Sequence, residues 1–105
     1  MSLGEARRAF SKRMSMLTAY ANYLGYDWAF DQGKRCDDCL VGHPRSTHKA
    51  GTGQDINLYT PNGAYPHPDD ERMHSTLHDM WDLLGGAERI QGDLNHYSDE
   101  WQGVR

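Results

Sequence analysis

Gln54-Asp55-Ile56-Asn57-Leu58-Tyr59 alternates apolar and polar side chains, with Ile56 and Leu58 on one face and Asp55, Asn57 and Tyr59 on the other. Successive side chains of a strand point to opposite sides, so the pattern is that of a half-buried strand. It also turns a carboxylate, Asp55, away from the core.

Working outward, Ala6, Phe10, Met14, Leu17, Ala21 and Leu24 recur at helical spacing, with Arg7, Arg8, Lys12 and Arg13 on other faces. This predicts an amphipathic helix over about residues 5–24, stopped by Gly25. The aromatic-rich residues 26–30 read as a short strand leading to a turn at Gly33, and 34–45 read as irregular loop. Beyond the central strand, Pro61-Asn62-Gly63 turns the chain and 65–70 form a loop that ends on an aspartate N-cap. Met73, Leu77, Met80, Trp81 and Leu84 make the stripe of a second helix closed by Gly85-Gly86, and a last short strand is expected over 94–97. The expected fold is α+β: a small antiparallel sheet flanked by two main helices, as one domain over 1–105.

Composition narrows the function. Eleven Lys and Arg against 15 Asp and Glu give a net charge of -4, which is poorly suited to holding a phosphate backbone, so no nucleic-acid partner is expected. No apolar run is long enough to span a bilayer, and no membrane insertion is expected. The charged N-terminus runs straight into the first helical pattern without the apolar core of an export signal, so synthesis in the cytoplasm is expected. The expected state is a monomer.

Two short segments carry the chemistry. Ser46-Thr47-His48-Lys49-Ala50-Gly51-Thr52-Gly53-Gln54-Asp55 is answered near the end of the chain by Asp93-Leu94-Asn95-His96. His48 and Asp55 are seven residues apart, roughly 23 Å if extended, so a shared ligand requires a bend that Gly51 and Gly53 permit. Zinc accepts two histidine nitrogens and one carboxylate oxygen and keeps its fourth position for water, a set that His48, Asp55 and His96 would supply. Asp93 would then stand beside the metal as a base, taking a proton from the bound water. Either half alone is also compatible with a common spacing or a surface turn pair.

Taken together, Ser46-x-His48-x2-Gly51-x3-Asp55-Ile56-Asn57-Leu58, Trp81-x2-Leu84-Gly85-Gly86 and Gly92-Asp93-x-Asn95-His96-Tyr97 resemble the D-alanyl-D-alanine carboxypeptidase family of zinc peptidases, which includes bacteriophage L-alanyl-D-glutamate endolysins. The resemblance spans about residues 20–100. It implies His48, Asp55 and His96 as zinc ligands at the sheet's edge and Asp93 as catalytic base. It also places Arg35 where members carry an arginine facing the substrate, to stabilise the oxyanion or hold a carboxylate, and Ser46 as a hydrogen-bonding support. The substrate so implied is the stem peptide of bacterial peptidoglycan, cut at L-Ala–D-Glu or D-Ala–D-Ala. A phage endolysin would reach the wall through a membrane lesion made by another protein. The chain departs from the family in Gly53, where alanine is usual, and in its short length.

Other arrangements compete. Cys36-x2-Cys39-x3-His43-x4-His48 has the spacing of a structural zinc knuckle and would draw on His48, although Asp37 and Asp38 between the thiols make a loop with free or mutually bonded cysteines the simpler reading. His74-x3-His78 lacks the glutamate of a zincin helix, and both residues are expected at the surface or the edge of the stripe. His67 is expected in a loop and Trp81 in the core. A zinc-stabilised binding domain without catalysis is the alternative function, and Asp93 weighs against it because a purely structural site needs no base.

Overall fold

The computed structural model describes residues 1–31 and 50–105. Arg35, Ser46 and His48, the cysteine-histidine spacing and the loop expected over 34–45 lie outside the described residues.

The first helix, α1, runs Leu3–Tyr23. Ser2 opens it with a capping box, its hydroxyl accepting from Glu5 N while the Glu5 carboxylate accepts from Ser2 N. Ala6, Phe10, Met14, Leu17 and Ala21 form the buried stripe. Gly25, at φ +79°, ends it: Gly25 N–H returns to Asn22 O and Tyr26 N–H to Ala21 O, the paired bonds of a Schellman closure. The second helix, α2, runs Asp70–Leu84 and closes in the same way, with Gly85 at φ +91° and bonds from Gly85 N to Asp82 O and from Gly86 N to Trp81 O. Asp69 occupies the N-cap position but makes no side-chain cap bond. Its own N–H donates to Nδ1 of His67 in the preceding loop.

Strands β1 (Asp27–Phe30), β2 (Gly53–Tyr59) and β3 (His96–Ser98) form one antiparallel sheet with β2 in the centre. Trp28 opposes Leu58 and Phe30 opposes Ile56, while on the other side Gln54 opposes Tyr97 and Asp55 opposes His96. Directly opposed residues share a face, so Ile56, Leu58, Trp28 and Tyr97 point one way and Asp55, Asn57 and His96 the other. Both helices cover the first face. Its core joins Phe10, Met14, Leu17 and Ala21 to Ile56, Leu58, Tyr97, Met73, Leu77 and Trp81. Trp81 meets Phe10 and Tyr97 edge-on, and its indole N–H donates to Ser98 O at 2.9 Å. The Ala87 amide donates to the same carbonyl at 2.8 Å. Among the described residues, the α+β class, the two main helices and the small antiparallel sheet are therefore as expected. Among the described residues no helix is long and apolar enough to cross a membrane.

Two expectations are corrected. The last strand begins at His96 rather than Leu94, because 93–95 form a turn in which His96 N–H donates back to Asp93 O. His74 and His78 are not surface residues: they are 1% and 0% exposed. Leu94 O lies 2.7 Å from His78 Nε2, and Tyr97 Oη lies 2.6 Å from His74 Nδ1. These polar partners allow two imidazoles to sit where the stripe alone would admit apolar side chains.

Candidate metal and catalytic site

The polar face of the sheet is assembled by the β2–β3 register. Asp55 and His96 are opposed residues, and Asp55 Oδ1 lies 3.1 Å from His96 Nδ1 although 41 positions separate them in the chain. Their side chains are 14% and 6% exposed. Alternation along β2 places Asn57 beside Asp55, and Asn57 Oδ1 accepts from Tyr65 Oη at 3.2 Å and from Asn95 Nδ2 at 3.4 Å. Burial, followed by the negative field of Asp70 and Asp31, holds the Tyr65 phenol above its ordinary pKa, so it is protonated and a donor at neutral pH.

Gly51, at φ +81°, makes the turn before β2, and Arg7 of α1 donates from Nε to Ala50 O at 2.6 Å. The first helix thus fixes the approach to β2. Gly53 adopts no positive φ and opens the strand itself.

Asp93 lies on the turn that delivers His96. Its N–H donates to Ile90 O, its carbonyl accepts from His96 N, and its side chain is exposed. With Tyr65, Asp70, Glu71, Gln91 and Asn95 it lines a cavity of about 450 Å³. The turn glycine is Gly92, at φ +81°.

Zinc binds imidazole nitrogen and carboxylate oxygen at about 2.0–2.2 Å, so two donor atoms on neighbouring corners of a tetrahedron lie about 3.3 Å apart. The 3.1 Å separation of His96 Nδ1 and Asp55 Oδ1 fits two such corners. The same atoms form an N–H···O bond when Nδ1 carries a proton. Among the described residues no three His, Cys, Asp or Glu converge as a metal cage. Of the three expected ligands, Asp55 and His96 are brought together; His48 lies outside the described residues, as do Arg35 and Ser46.

Asn57, Asn95 and Tyr65 were not among the expected site residues. The alternation that turned Asp55 outward applies equally to Asn57, and Asn95 stands between the two motif residues, so both carried a signal. Tyr65 carried none, since a loop shows no periodicity. No protein-family model, curated protein or solved structure matches the chain.

Proposed function

We propose that this chain is a zinc-dependent peptidase that hydrolyses amide bonds in the stem peptides of bacterial peptidoglycan, as an L-Ala–D-Glu endopeptidase or a D-Ala–D-Ala carboxypeptidase, in the manner of a phage endolysin. The observation that carries the reading is the cross-strand pair Asp55–His96, with Asp93 on the adjoining turn at the rim of a cavity. His48, Asp55 and His96 would hold the ion at the edge of the sheet. Zinc, when bound, polarises the scissile carbonyl and makes a hydroxide available near neutral pH. Asp93 then takes the proton of the attacking water and returns it to the leaving amine. Arg35 would face the developing oxyanion or a substrate carboxylate, and Ser46 would support the site by hydrogen bonding. The cavity beside Asp93 accepts the peptide.

The test is release of new amino groups from purified peptidoglycan, with and without a chelator, for wild type and Asp93→Ala. Loss of a general base lowers the rate by about 10²–10⁴-fold, so the variant should retain zinc and lose activity on that scale. Mass spectrometry of the fragments then names the bond. Activity indifferent to both chelator and substitution overturns the reading, and a folded, zinc-loaded but inert wild type makes the chain a zinc-stabilised binding domain instead.

A further inference from the structure

Three successive carbonyls lead into His96, and each is tied to a different donor. Asp93 O accepts from His96 N at 3.1 Å, Leu94 O from His78 Nε2 at 2.7 Å and Asn95 O from Ile56 N at 2.9 Å. Two of these donors are backbone groups of the sheet and its turn. The third is a side chain, and it comes from the helix beneath.

A carbonyl only accepts, so His78 Nε2 carries the hydrogen, and in the neutral ring Nδ1 is bare; it is buried and has no hydrogen-bond partner among the described residues. The ring lies flat on Tyr97, with centroids 4.1 Å apart and planes 15° apart. One turn earlier on α2, His74 Nε2 stands 3.4 Å from Asp70 Oδ1, an electrostatic contact without hydrogen-bond geometry. A carboxylate attracts the N–H edge of the ring, which leaves His74 Nδ1 to accept the Tyr97 hydroxyl at 2.6 Å. Burial pushes His78 down to about 4 and lowers His74 against the opposing pull of Asp70, so both rings are neutral at neutral pH.

We propose that His78, with His74 behind it, is a positioning residue of the candidate site: it orients the Leu94 peptide and Tyr97, and so sets the Asp93 carboxylate against the His96 imidazole. The proposal rests on the zinc-peptidase reading. A merely space-filling role at position 78 is met by leucine or methionine, whereas the bond to Leu94 O is not. Groups that orient the ligands of a metal from outside its coordination shell typically contribute 10–100-fold to affinity or activity.

The experiment compares wild type, His78→Leu, which removes the donor, and His78→Gln, which can return an N–H to Leu94 O. Zinc dissociation constants are measured by chelator competition, and kcat and KM on stem-peptide fragments. The expected result is zinc binding weakened about 10–100-fold and kcat lowered at least about tenfold in His78→Leu, with KM changed by less than about threefold and most of both losses recovered in His78→Gln. A folded His78→Leu with wild-type zinc affinity and kcat overturns the proposal while leaving the peptidase reading intact. A wild type that binds zinc without hydrolysing peptide sinks that reading, yet the zinc constants still decide the role of His78; a wild type that binds no zinc overturns both. Should His78→Leu not fold, nitrogen-15 histidine spectra of the wild type decide. A neutral, Nε2-protonated His78 whose signals move on zinc addition supports the proposal, and an Nδ1-protonated ring, or one indifferent to zinc, overturns it.

Discussion

Gly86 follows α2 at a point where no side chain fits, because a Cβ there would overlap the Trp81 indole at Nε1. That nitrogen is committed to Ser98 O, so the indole cannot turn aside without losing a buried bond. Gly86→Ala is therefore expected to destabilise the fold by about 1–3 kcal/mol through overpacking, read as a lower midpoint in urea. The glycine pair was legible in the sequence as a helix stop, and Gly85 serves as one; the reason for the second glycine lies in the ring it faces. His74 and His78 mark the opposite failure. Helical periodicity sorts residues by apolarity and cannot see a tyrosine hydroxyl that will arrive from 23 positions away or a carbonyl from 16.

Elements with a strong internal period were readable almost residue by residue. The α1 stripe, the alternation in β2 and the α2 stripe each use local rules of spacing and termination, and each lies within two residues of its expected limits. The three-residue β3 is too short for a period, and its start depends on where the turn at Asp93 closes. Contacts between elements follow no local rule. Arg13, which the helical pattern places merely off the apolar stripe, reaches from α1 to Leu84 O at 2.8 Å and to the Asp99 carboxylate. Burial raises the Asp99 pKa in spite of that guanidinium. Arg13→Met should leave both acceptors short of a donor in a part-buried setting and lower stability by about 1–3 kcal/mol, checked by urea denaturation at pH 7. Arg13→Lys should recover only part of the loss, since an ammonium lacks the fork that serves two acceptors at once.

For the molecule as a whole, the buried histidines set a pH profile. An ordinary imidazole titrates at 6.5 and folded His78 at about 4, so between these values the unfolded chain takes up a proton that the folded chain refuses. Stability is complete above about pH 6.5 and falls as pH drops toward 4, by about 3 kcal/mol from His78 alone, with His74 adding in the same direction. Asp99 works the opposite way, since its raised pKa favours the folded state at the acid end and that contribution fades as pH rises through the folded value. Urea midpoints measured from pH 7.5 to 4.5 should fall with acid, and less steeply in His78→Gln. Asp55 and Asn57 were legible from the alternation in β2, and the pairing of Asp55 with His96 from the motif spacing; Tyr65 was not, because it reaches Asn57 by packing of a loop on a strand. One carbonyl has a wider consequence. Ser98 O accepts both the Trp81 indole and the Ala87 amide, so both its lone pairs are engaged. An edge strand normally offers such acceptors as a template for another chain, and here the offer is withdrawn two residues from His96. An extended peptide therefore cannot join the sheet as a fourth strand at Ser98. A main-chain ladder laid along this strand is interrupted at that carbonyl, and two copies of the protein cannot zip together through it.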